Sequence, residues 1–169
     1  MRTIIKLNEF SRLIGGLTLK KLFKLCAAIL AVVTVLSLAG CSARNPITAD
    51  DFKKQSEAAG FKVTDSSAQN TSVSKYLSAV KAETGTEVVY ILCATDAAAT
   101  EMYNSVKTSI STGTTGTTTN LDSSSYNKYT QINGELTYTL TRMGSTLVYG
   151  KTTLVHKNQV DDLFKAIKY

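Results

Sequence analysis

Tryptophan is absent from the 169 residues, and histidine occurs once, as His156. A single imidazole excludes a histidine-paired metal site, and no Cys/His cluster stands at ligand spacing. A Ser-His-Asp triad would have to use His156, and the chain has no G-x-S-x-G elbow to carry the nucleophile. Cysteine is scarce, with Cys26, Cys41 and Cys93 far apart in unlike contexts. The apolar run Leu25 to Leu38 has 14 residues, short of the ~20 a membrane-spanning helix needs. The Gly/Thr tract after residue 112 has two glycines three apart but no lysine behind them, so it is not a phosphate loop.

An excess of charge is also missing from most of the chain. The overall +6 comes almost wholly from residues 1–40, where six Lys/Arg face Glu9 alone. Residues 41–169 carry 13 Lys/Arg against 12 Asp/Glu and are close to neutral. That balance is not the footprint of a nucleic-acid binder, so no nucleic-acid partner is expected.

What is present at the start is an ordered pattern. A basic segment holding Arg2, Lys6, Arg12, Lys20, Lys21 and Lys24 leads into the apolar run and ends in Leu38-Ala39-Gly40-Cys41. Basic, then apolar, then small residues is the anatomy of a secretory signal. Leu38-Ala39-Gly40-Cys41 resembles the lipobox of bacterial lipoproteins. The resemblance covers residues 1–41. It implies cleavage between Gly40 and Cys41, diacylglyceryl transfer to the Cys41 sulfur, and a protein held on the extracytoplasmic face of the cell membrane. Residues 1–40 would then be removed and 41–46 would be a lipidated tether. Two acyl chains give stable anchoring where one gives marginal binding. Loss of Cys26 with the signal and lipidation of Cys41 leave Cys93 as one thiol, without a disulfide partner. Cys93 ends the apolar run Val88 to Cys93, with no basic residue close by to lower its pKa, and reads as a small buried hydrophobe.

Residues 47–169 read as one α+β domain: a mainly antiparallel sheet of five or six strands with three helices. Thr48 and Asp51 stand as in a capping box, with Ile47 placed to staple onto Phe52 and Gly60 as the stop. A short strand over 61–64 precedes a Ser/Asn/Gln-rich loop. Tyr76–Glu83 and Glu87–Ala94 form a hairpin, whose second strand is apolar on both faces and therefore central. Thr95 or Asp96 caps a helix reaching about Ser111. Gly113 to Ser125 is low in complexity and is expected to be a mobile loop. A three-stranded meander follows, turning at Asn133-Gly134 and again at Met143-Gly144-Ser145. Its Thr137, Thr139 and Thr141 alternate with Leu136, Tyr138, Leu140 and Arg142, which predicts one wetter face. Asn158 is expected to cap a last helix with the stripe Val160, Leu163, Phe164 and Ile167. The segment 85–90 parallels 144–149, and each leads from a strand to a helix. Two strand-strand-helix units, with pseudo-symmetry and a groove between them, are therefore expected.

The order lipobox, Asp51-Phe52-Lys53-Lys54, Val89-Tyr90, Met102-Tyr103 and Tyr126-Asn127-Lys128-Tyr129 resembles small uncharacterised lipoproteins of Gram-positive gut-type bacteria. That likeness implies a location and carries no chemistry. Nothing after Cys41 states a reaction. The mature acids mostly stand at helix starts or turns, where capping accounts for them. No cofactor and no metal site is expected. Tyrosine is the enriched candidate, with Tyr76, Tyr90, Tyr126, Tyr129, Tyr138 and Tyr149 all on strands. Tyrosines pack well in sheets and also make binding faces. Tyr126, Tyr129, Tyr138 and Arg142, on the wetter meander, are the candidate binding residues. The expected function is a membrane-anchored binding or protein-interaction module without enzymatic activity. The alternatives are a small-ligand lipoprotein binding sugar, peptide or envelope fragments, and a hydrolase of envelope polymers.

Overall fold

The computed structural model describes residues 45–70, 72–111 and 116–169. Gly40, Cys41 and the whole signal lie outside the described residues, as do 113–115 of the Gly/Thr tract.

The first described element, α1 (Ala49–Ala58), starts as its sequence dictates. Thr48 Oγ1 accepts from the Asp51 N–H at 3.1 Å and donates to Asp51 Oδ2 at 2.8 Å. The helix ends just before Gly60, whose φ of +81° turns the chain into β1 (Lys62–Asp65). A 3-10 turn at Ser67–Gln69 then leads to β2 (Lys75–Lys81), which pairs with β3 (Thr86–Leu92). Thr95 caps α2 (Asp96–Ser111), its hydroxyl accepting from the Ala98 N–H at 3.1 Å. Then come β4 (Thr118–Asp122), β5 (Tyr126–Asn133), β6 (Leu136–Met143) and β7 (Thr146–Thr153), and finally α3 (Lys157–Ala166). Gly134 and Gly144, at φ +58° and +55°, make the two tight turns of the meander. Left-handed backbone of this kind is what two-residue hairpin loops require.

All the strands join one antiparallel sheet in the order β1-β2-β3-β7-β6-β5-β4. The fold is α+β as expected, with seven strands where five or six were expected. The added strand is β4, inside the tract expected to be a loop. Each of its residues is exposed, so no burial pattern marks it. Its threonines are β-branched, and β5 supplies the ladder that a lone polar segment would lack. The expected Asn158 cap also fails. A 3-10 turn at Leu154–His156 runs directly into α3, the Lys157 N–H already bonding Leu154 O, and Asn158 lies inside the first turn.

The helices divide between the two faces of the sheet. Phe52 of α1 and Val160, Leu163 and Phe164 of α3 pack with Leu77, Ala79, Val88, Tyr90 and Val148 on one face. Gly150 lets α3 come this close, since a Cβ there would stand 2.6 Å from Val160 Cγ1. Ala99 and Tyr103 of α2 pack with Val89, Ile91, Tyr129, Leu140 and Leu147 on the opposite face. Burying each such large side chain contributes ~1.5–3 kcal/mol. With α2 and α3 on opposite sides, both rows of β6 are covered. Thr137, Thr139 and Thr141 are buried on the α3 side, and Leu140 and Arg142 on the α2 side. The meander therefore has no wetter face of the expected extent.

The strand-strand-helix order does recur, as β2-β3-α2 and β6-β7-α3. Yet Val88 and Tyr90 face α1 and α3, while their counterparts Leu147 and Tyr149 face α2. The helices leave on opposite sides, so no two-fold axis through the sheet relates the units. A one-residue difference in a period-two pattern is enough to exchange faces. Nor is there a groove between the halves at the sheet, because β3 and β7 are hydrogen-bonded neighbours.

Candidate binding groove

The two tight turns set the register of the meander, and the register decides which side chains meet. Met143 pairs with Thr146 across Gly144-Ser145, which places Leu140 opposite Tyr149 and Tyr138 opposite Lys151. Tyr138 and Tyr149 are then diagonal neighbours on the α2 side. Their ring centroids are 6.4 Å apart with an interplanar angle of 24°. Ser105, Val106, Ser109 and Ile110, from the C-terminal half of α2, and Asn133 of β5 line the space beside them. Together with the two tyrosines they line an open groove of about 380 Å³.

The register extends the site past α2. Glu87 lies opposite Lys151, and both are half-buried on the face that carries Tyr149. Ser78 Oγ donates to Glu87 Oε1 at 3.2 Å. Burial pushes the Tyr149 hydroxyl pKa well above its ordinary value, and Tyr138, Glu87 and Tyr76 push it further. Burial, then Glu87, likewise raises that of Tyr76. Both phenols therefore remain neutral donors through the physiological range. Among the described residues, the side chains of Ser105, Asn133, Tyr138, Tyr149 and Lys151 make no hydrogen bond or ion pair. A ring of unpartnered polar groups around an aromatic floor is an arrangement suited to holding an amphipathic ligand.

Of the four residues expected at the site, only Tyr138 lines this groove. Tyr129 is 4% exposed beneath α2, its hydroxyl donating to Gln131 Oε1 at 2.5 Å. Arg142 is 2% exposed and binds Asn127 Oδ1 at 2.7 Å, Gly144 O at 3.0 Å and Ser124 O at 2.9 Å. These bonds tie together the turns at the end of the meander, so Arg142 holds the fold. Tyr126 lies on the opposite face, against the core of α1 and α3. Tyr149 is one of the strand tyrosines but not one of the expected binding residues, and Glu87 and Lys151 were not singled out, because their place depends on strand pairing. The two-residue turn at Gly144-Ser145 carried the needed signal, since counting outward from it pairs Lys151 with Tyr138.

A second cavity, of about 280 Å³, lies beside α3 and is lined by Lys128, Thr130, Thr139, Lys157, Asp161 and Lys165, with Phe164 and Tyr169. Its cations are largely engaged. Lys157 is paired with Asp161, Lys165 stands 3.4 Å from Asp162, and the Lys128 ammonium lies 5.9 Å over the Phe164 ring. His156, at the entry to α3, makes no capping bond. Cys93 is 4% exposed, and burial raises its thiol pKa, as befits an inert hydrophobe. No group of three or more His, Cys, Asp or Glu converges among the described residues. No helix among them is long and apolar enough to cross a membrane.

The fold and groove together define an α+β sheet protein with helices on both faces and an aromatic groove on one. No family model and no curated protein matches the chain. Among solved structures it is similar to the crystal structure of a GTP binding regulator from Thermotoga maritima. The identity is 13% and the TM-score 0.48, over 72% of this chain and 87% of that one.

Proposed function

We propose that the chain is an extracytoplasmic binding module, anchored by lipid on Cys41, that takes its ligand in the groove floored by Tyr138 and Tyr149. The lipobox motif supports the location. The observation that carries the binding role is the contrast in hydrogen bonding. Under α2, Tyr129 is bonded to Gln131 and Arg142 to Asn127, whereas the half-buried Tyr138 and Tyr149 hydroxyls at the groove make no hydrogen bond among the described residues. Polar groups left unpartnered beside an aromatic floor are free to exchange water for ligand. We read the module as acting by binding rather than by chemistry.

Two measurements test this. Cys41→Ala is expected to abolish fatty-acid labelling and to leave an uncleaved precursor in cells, and labelling that persists would refute the anchor. For the groove, a binder present at a hundred times its Kd adds ~2.7 kcal/mol to stability, a shift of several degrees in Tm. A thermal-shift screen against sugars, peptides and envelope fragments should give a saturable shift that Tyr149→Ala removes. A shift left intact by Tyr149→Ala would place the binding site elsewhere.

A further inference from the structure

We infer that the groove ligand is a neutral saccharide, an inference that rests on reading the groove as the binding site. Three features of the groove select this chemistry. The first is its floor. Two near-parallel tyrosine rings, with centroids 6.4 Å apart, line the groove with aromatic carbon, to which the apolar C–H face of a sugar ring is complementary. The second is the charge beside it on the same sheet face, from Glu87 and Lys151, which do not themselves line the cavity. Glu87 and Lys151 are directly opposed across β3 and β7, and Lys151 is also directly opposed to Tyr138 across β7 and β6. Side chains so opposed stand with Cβ atoms ~4.5–5.5 Å apart. A charged ligand beside this opposed pair is attracted by one group and repelled by the other, so neither sign is favoured outright. A ligand with no net charge meets no such repulsion. If it carries hydroxyls, it can donate to Glu87 and accept from Lys151 at once.

The third feature is the mixture of hydrogen-bonding groups. The Ser105 hydroxyl, the Asn133 amide and both tyrosine hydroxyls are without side-chain partners among the described residues. Each of these four groups can both donate and accept. A polyol satisfies such a set with any rotamer of its own hydroxyls. An apolar peptide side chain would leave the half-buried Tyr138 and Tyr149 hydroxyls without a partner, which is costly. The volume of about 380 Å³ falls at the low end of the ~300–1,000 Å³ usual for small-ligand sites, a fit for one short saccharide unit.

The test uses the full chain in a detergent without a sugar headgroup. The neutral probes are the tetramers of N-acetylglucosamine, of α-linked glucose and of β-linked glucose. Tetragalacturonate, hexyltrimethylammonium and tetra-alanine serve as the charged and peptide comparisons. Saturation-transfer NMR is expected to show transfer onto ring C–H protons of at least one neutral probe. Tyr138→Ala, Tyr149→Ala and Glu87→Gln should each weaken that binding about tenfold or more, and Lys128→Ala, on the opposite face, should leave it unchanged. Ser109→Arg fills the groove from the surface of α2 and serves as the blocking variant if a tyrosine variant fails to fold. Absence of transfer to every neutral saccharide overturns the inference. Tyrosine-dependent binding of the peptide or a charged probe in place of saccharide overturns the ligand class and leaves the groove standing. Saccharide binding that ignores Tyr138, Tyr149 and Ser109→Arg overturns the groove itself.

Discussion

Beneath α2, one face of one sheet puts tyrosine to two opposite uses. Under the middle of the helix, Tyr103 and Tyr129 are buried, and Tyr129 is bonded to Gln131. Lys107 lies 5.9 Å and 5.4 Å from the two ring centroids and reaches Asn120 at 2.9 Å and Asp122 at 3.6 Å on the edge strand. Arg142 closes the same region by three bonds. Under the C-terminal half of the helix, Tyr138 and Tyr149 stack over open space, and their hydroxyls lack partners among the described residues. The residue type is the same in both places. Whether a tyrosine stabilises the fold or stays available to a ligand depends on whether its polar end is bonded at home. A buried donor left without a partner costs more than a bonded one contributes, so the closed end should be sensitive to mutation and the open end tolerant.

The sharpest test of that contrast compares Arg142→Ala with Tyr138→Ala. Loss of the guanidinium removes three charge-assisted bonds and leaves the Asn127, Gly144 and Ser124 oxygens to find new partners. A cost of about 3 kcal/mol is expected. Tyr138 is half-buried, and its removal forfeits a stacking contact and some apolar cover, about 1 kcal/mol. Equilibrium urea denaturation reads both. Equal costs for the two variants would erase the distinction between a structural and an available end.

A finer comparison keeps the rings and deletes only hydroxyls. Tyr129→Phe strands Gln131 Oε1, in a side chain that is 0% exposed, at a cost of about 1–2 kcal/mol. Tyr149→Phe removes a hydroxyl with no internal partner and should leave the denaturation midpoint within ~0.5 kcal/mol of the parent. A large loss in Tyr149→Phe would mean that the groove hydroxyl serves the fold, and the binding role would lose its main support.

How much of this was legible before the structure follows from which physical signals are local. The Thr48 cap and the glycine turns at Gly134 and Gly144 were legible because each depends on a few adjacent residues. The central position of β3 followed from a strand apolar on both faces. The β4 strand was hidden because an exposed edge strand has no hydrophobic period, only a paired neighbour. The candidate site was legible in residue type and largely not in position. Tyr126 and Tyr129 are an odd number of residues apart on one strand, so period-two alternation already forbade them a common face. That α2 and α3 take opposite faces follows from neither periodicity nor composition, since both helices have apolar stripes that fit either side. Without that choice, the four candidates could not be divided into Arg142 and Tyr129 under a helix, Tyr126 behind the sheet, and Tyr138 in the groove.

The smallest expected effect has the opposite sign. Tyr103 is 1% exposed, and its hydroxyl is fully enclosed with no hydrogen-bond partner. Burial pushes its pKa up, with Asp122 contributing next, so the group enters the core neutral and unbonded. In the unfolded chain that hydroxyl is hydrated, and folding strips the water without replacement, at a cost of about 1–3 kcal/mol. Tyr103→Phe keeps the ring against Tyr129 and Leu140 and removes the enclosed oxygen. The exchange leaves a void smaller than a methyl group, which offsets part of the gain. The variant should therefore be as stable as the parent or more so, by up to ~1 kcal/mol, while Tyr129→Phe a few ångströms away destabilises. If Tyr103→Phe instead loses stability to the same degree, the closed end holds a bond through that hydroxyl, and its network reaches one residue further into α2 than the geometry records.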